Sequence, residues 1–207
     1  MAKLHVATLS PSKPELLTQW LANDPYVGDR VAGGLEVLGA YRFDDPAGDV
    51  GLECHLLGCG DGTVLHVPVS YRAAAEPSLA DHQVGSLEHS VLGTRWVYDG
   101  CADPVFVGEL LRTMHTGDTQ VELVVHTDDG PVIREPNAEV TGTGSAAAAP
   151  TIESVAMSRH EAGATVEVGA ASVEVRRVLD LGADSADGVA LLGTWTTQSV
   201  PVVLATA

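Results

Sequence analysis

The 207 residues include 11 basic and 28 acidic side chains, for a formal charge of −17, with 45% hydrophobic and 19% charged residues. This is the composition of a globular chain able to bury a core, not of a disordered one. A field of that sign repels phosphate backbones and anionic lipid, which argues against nucleic-acid and membrane-surface partners.

Residues 1–10 lack the apolar run of a signal peptide, and no stretch reaches the ~18 apolar residues of a membrane span. Cys54, Cys59 and Cys101 are an odd count without disulfide-framework spacing, and read as the reduced thiols of a cytoplasmic protein.

In chain order, Ser12 and Glu15 form a capping box with Pro14 in the first turn. Leu16, Leu17, Trp20 and Leu21 make a helical apolar stripe that Asp24-Pro25 ends. Leu35, Val37, Tyr41 and Phe43 alternate as in a strand, and 50–57 and 64–71 flank Gly60-Asp61-Gly62 as a hairpin. A further strand is expected over 91–98. Asp103 as N-cap, Pro104, the stripe Val107, Leu110, Leu111 and Met114, and Gly117 as terminator predict a second helix.

Residues 121–126 and 132–134 bracket Asp128-Asp129-Gly130 as another hairpin. Residues 137–150, small and rich in Gly and Ala, read as a flexible connection. Then 165–168 and 172–178 turn at Gly169-Ala170, and 189–196 and 200–205 close the chain. Pro201, which cannot donate to a ladder, is expected on a sheet edge. The expected fold is α+β and mainly antiparallel. A curved sheet carries two helices packed on one of its faces, and extra C-terminal strands follow. The expected organisation is a domain over 1–136, a connection over 137–150, and a β segment over 151–207 packed with it.

Chemistry-bearing motifs are sparse. There is no G-x-x-x-x-G-K-[ST] loop, the only lysines are Lys3 and Lys13, and Gly142-Thr143-Gly144 opens no helix. His126-Thr127-Asp128 lacks the asparagine and downstream aspartate of a phosphotransferase loop, and fits a hairpin tip. Cys54, His55, Cys59 and His66 share a hairpin but point to both of its faces, so neither a metal nor a cofactor is expected.

Two sets remain. Glu53, His55 and His66 are candidates for an acid–base site, which would make the chain a hydrolase or isomerase. Trp96 and Tyr98 could stack on a small sugar, with Glu88, His89, Arg95 and Asp99 supplying hydrogen bonds.

Four stretches resemble the N-terminal cap domain of actinobacterial maltokinases and, more closely, its stand-alone relatives. They are Thr8 to Leu17, Tyr41 to Gly48, His66 to Arg72 and, the most specific, Gly85 to Pro104. The likeness covers residues 1–117. The tail from Leu192 to Leu204 is similar to the endings of the stand-alone proteins. In maltokinases the cap is a curved sheet with helices set over a kinase body that holds nucleotide, magnesium and maltose. None of that body's phosphate lysine, catalytic aspartate or metal ligands has a counterpart in these residues.

The resemblance therefore implies a non-catalytic accessory module in maltose, trehalose or α-glucan metabolism, docking on a protein partner or on itself. A small-sugar-binding module is the alternative.

Overall fold

The first helix starts where the capping box places it. In the computed structural model, which describes residues 2–4, 7–127, 130–152, 154–182 and 185–207, Ser12 Oγ accepts from the Glu15 N–H. The Glu15 carboxylate in turn accepts from the Ser12 N–H, opening α1 (Lys13–Leu21). A single turn, α2 (Gly28–Val31), follows.

Three long strands come next: β3 (Leu35–Phe43), β4 (Gly51–Cys59) and β5 (Val64–Arg72). With β2 (Leu9–Ser10), β6 (Gln83–His89) and β7 (Gly93–Asp99) they form a six-stranded antiparallel sheet in the order β2-β6-β7-β5-β4-β3. The strand expected over 91–98 is β7, but it begins at Gly93: Ser90 to Leu92 form the turn that joins it to β6.

The helix α3 (Pro104–Thr116) is capped by Asp103, whose carboxylate accepts from the Val105 N–H, and closed by Gly117 at φ +69°. The two principal helices do not share a face of the sheet. Leu16, Leu17 and Leu21 of α1 bury against Leu57, Leu65, Val67, Val69 and Val97. Phe106, Leu110 and Met114 of α3 bury against Tyr41, Phe43, Leu52, Cys54 and Leu56. Leu52 to Leu57 of β4 are buried without alternation, so the central strands need a cover on each side. One shared helical face would have left the other face wet.

The C-terminal half builds a second six-stranded antiparallel sheet, β10-β14-β15-β13-β12-β11. Its strands are β10 (Ala138–Gly142), β11 (Ala156–His160), β12 (Gly163–Val168), β13 (Ala171–Arg176), β14 (Ala190–Trp195) and β15 (Gln198–Thr206). Val140, Val166, Val173, Val175, Leu191, Val202 and Leu204 join α3 and the first sheet in one core. The sheets also meet along the chain, where His66 N–H donates to Arg177 O, Leu179 N–H to Val64 O, and Asn137 Oδ1 accepts from the Ala40 N–H.

Two expectations are corrected by this sheet. Pro201 lies on β15, which is interior in strand order. However, β13 pairs only with Ala205 and Thr206 of β15, and on the β14 side Pro201 falls in the register shift between the Gly193–Val202 and Trp195–Gln198 pairs, where the ladder is interrupted. Residues 137–150 are not simply a connection. They contain β10, and their glycines mark close backbone approach: a Cβ on Gly142 would lie 1.9 Å from Thr113 O, and one on Gly144 2.3 Å from His115 O. Gly142→Ala should therefore cost about 1–3 kcal/mol, read as a lowered urea midpoint.

Three further strands, β1 (Ala2–Leu4), β8 (Leu123–Thr127) and β9 (Gly130–Arg134), form a small sheet in the order β1-β8-β9. β1 pairs parallel with β8, the exception in a mainly antiparallel fold. Asp128 and Asp129 of the expected turn lie outside the described residues.

Candidate functional site

Register decides the acid–base set. His55 pairs with Val67, and Leu56 with His66, so His55 and His66 occupy opposite faces of the sheet. Glu53 and His55 come together as expected; His66 does not join them.

On the α1 side, Lys13 Nζ lies 2.6 Å from Glu53 Oε2 and His55 Nε2 lies 3.4 Å from it, while the Tyr71 hydroxyl is 3.2 Å from His55 Nε2. Glu53 and His55 are buried, and Lys13 also sits 5.3 Å from the Tyr71 ring centroid. Burial alone would raise the Glu53 carboxyl. His55, Lys13 and Arg42 outweigh it and hold the group well below the usual carboxylate range. Glu53 is thus fixed as an anion, a counter-charge for its neighbours rather than a base poised near neutrality. Because Lys13 opens α1, the same pair clamps the start of that helix to β4. Nothing local in the sequence marks Lys13 as a partner of Glu53, because the pairing depends on a contact 40 residues away.

On the opposite face His66 is 1% exposed. Its Nδ1 is 3.0 Å from Arg176 O, a carbonyl that can only accept, so Nδ1 carries the proton and Nε2 accepts from the Tyr41 hydroxyl at 2.7 Å. Burial pushes the imidazole down to about 4. This histidine joins the two sheets as a neutral group.

The proposed sugar set is divided. Residues of β7 alternate, placing Trp96 and Tyr98 on one face and Arg95 and Asp99 on the other. Glu88 pairs with Thr94 and shares the Trp96 face, and its carboxylate accepts from the Thr94 hydroxyl. His89 lies on the other face, and its Nδ1 accepts from the N–H groups of Val91 and Leu92. Tyr98 is buried with Leu79 and Ala102, and its hydroxyl accepts from the Glu76 N–H. Trp96 is half-buried at the border of that cluster.

Asp99 belongs to an ion network between the sheets. Its Oδ2 lies 2.6 Å from Arg177 and 3.5 Å from Arg159, and Arg159 also pairs with Asp24. Both guanidiniums lie over Trp20, at 5.0 Å for Arg177 and 6.0 Å for Arg159. Of these residues, Arg159 alone lies in a stretch to which the sequence assigns no element. No local signal joins positions 24, 99, 159 and 177.

A groove of about 320 Å³ lies between the edge of β3 and the base of the β8–β9 hairpin, lined among others by Arg42, Gln120, Glu122, Ile133, Arg134 and Glu135. Arg42 alone is shared between this groove and the Glu53 cluster. Among the described residues no group of three His, Cys, Asp or Glu side chains is placed to hold a metal ion, and no helix is long and apolar enough to cross a membrane.

These features define an antiparallel β protein of two face-packed sheets whose conspicuous polar side chains are tied to one another. Residues 20–103, less than half of the chain, match the family model of the maltokinase N-terminal cap domain. The match begins within α1, spans β3 to β7, and ends at the cap of α3; the second sheet lies beyond it. No curated protein matches the chain.

Proposed function

We propose that the chain is a non-catalytic accessory module of the maltokinase-cap type, acting in maltose, trehalose or α-glucan metabolism by docking on a partner protein or on a second copy. The observation that carries this reading is the cap-domain match over 20–103. The site geometry supports it. Glu53 is engaged by Lys13 and His55, and His66 and Asp99 are engaged in joining the sheets, so these groups serve the packing of the module. Both faces of the first sheet are used internally, by α1 on one side and by α3 with the second sheet on the other. Strand edges and hairpins are among the surfaces left for docking.

Trp96, half-buried and on the face of Glu88, keeps a small-sugar site as the alternative. One experiment separates the two readings. Thermal melting of the purified protein is followed with maltose, trehalose, maltose 1-phosphate, and ATP with magnesium, beside sizing of the native complex from source cells. A module of the docking kind elutes above its 21.5 kDa monomer mass and melts at an unchanged temperature with every small molecule. A saturable rise in melting temperature with one sugar, from a protein that elutes as a monomer, would replace docking by sugar binding.

A further inference from the structure

The small sheet β1-β8-β9 is built differently from the other two. β9 is its terminal strand, and residues 131–134 have no strand partner on their outer side among the described residues. Successive side chains of β9 point to opposite faces, yet Val132 is 55% exposed and Ile133 62% exposed, so the strand offers apolar surface on both. Neither residue belongs to a core cluster.

Natural edge strands are guarded by inward charges, lysines, bulges or a covering segment. Here Pro131 and Arg134 guard the two ends, β8 and β9 pair without a register shift, and Val132 and Ile133 between them stand open. Ile133 also lines the 320 Å³ groove, with Leu123, Val121 and Pro136 supplying apolar wall and two arginines, Arg42 and Arg134, balancing Glu122 and Glu135. An edge open at its two central apolar residues, beside a groove large enough for one side chain, has the geometry of strand addition: ladder hydrogen bonds supply affinity, and the pocket reads an alternate residue.

Charge selects the occupant. The groove itself is balanced in charge, so selection falls to the field of the whole chain: a second copy would bring another −17 to the contact. An extended segment with apolar alternate residues and basic flanks meets the apolar strand and is drawn by that negative field. We infer that β9 and its groove receive an extended, basic-flanked segment of another protein, added antiparallel or parallel as a fourth strand of the small sheet. This inference rests on the docking function proposed above and names its surface.

The test uses the full chain and two synthetic nine-residue peptides of the same alternating Val/Thr centre, one flanked by lysines and one by glutamates. Fluorescence anisotropy should show saturable binding of the lysine-flanked peptide, and Ile133→Asp should weaken it at least tenfold. Ile133 is exposed, so this substitution should leave the melting temperature unchanged. Equal binding of both peptides, or binding indifferent to Ile133→Asp, would overturn the assignment. So would a dimer of the chain alone, seen by sedimentation and dissolved by Ile133→Asp, because the occupant would then be a second copy. A native complex that survives Ile133→Asp would remove β9 as the surface and leave the docking function standing. The absence of any native complex would remove the docking function itself.

Discussion

Replacing Arg177 with alanine should destabilise the protein by about 3–5 kcal/mol, the usual cost of removing one partner from a buried ion pair. The Arg177 and Asp99 side chains are 3% and 2% exposed and 2.6 Å apart. Without Arg177 the Asp99 carboxylate retains only the longer contact to Arg159, 3.5 Å away, and the N–H of Cys101. The guanidinium also covers the Trp20 ring, so its loss opens space between α1 and the second sheet. Urea unfolding of four proteins, the parent, Arg177→Ala, Asp99→Leu and the Arg177→Met/Asp99→Leu double variant, tests the expectation. The double variant should recover at least half of the single-variant loss, since it removes both charges and keeps apolar volume. A single-variant loss below about 1 kcal/mol would show that the pair behaves as a solvated surface bridge.

The second large effect is one of pH. His66 folds as a neutral group with its pKa lowered from 6.5 to about 4, chiefly by burial. In the unfolded chain it binds a proton at the ordinary value. Between those two values the unfolded state therefore holds more protons, and stability rises with pH. It is fully present above about 6.5, declines as the pH falls below that, and has lost about 3 kcal/mol of this contribution by pH 4. Glu53 acts lower on the scale. Its depressed carboxyl adds stability above its ordinary value of 4.5, and that stability is lost as the pH falls through the lower, folded value. His66→Gln should flatten the decline between pH 6.5 and 4 while leaving the more acidic limb in place. Unfolding midpoints measured across pH 4 to 8 read the slope directly. An unchanged slope in the variant would show that His66 is not the group responsible.

Both effects concern groups that join one sheet to the other, and these are the features least visible along the chain. The capping box of α1, the Asp103 cap of α3, the turn at Gly62 and the helix stop at Gly117 are local devices. Each is specified by residues three or four apart, which is why α1, α3 and the β4–β5 hairpin lie where the residues place them. β6, β10 and β11 escaped notice because their sequences are short or built of small residues, with little alternation for a periodicity argument to use. In β10 the small residues meet a tertiary need: Gly142 must clear the carbonyls at the end of α3.

The candidate sites divide in the same way. Glu53 and His55 sit two apart on one strand, so strand alternation alone puts them together, whereas the side of His66 follows from the register between β4 and β5. Lys13, Tyr71 and Arg42 join Glu53 only through folding.

Composition, charge, local caps and turns were decided by the sequence alone: an acidic, mainly antiparallel β chain with two principal helices and a cap-like first half. Only the tertiary structure decided that those helices cover opposite faces, that the second sheet closes over α3, and that β9 is left uncovered. The physical reason is range. Hydrogen bonding within a turn is set by neighbouring residues, but the side of a sheet that must be covered depends on which strands pair in which register, a property of residues up to 135 positions apart, as in the Arg159–Asp24 contact.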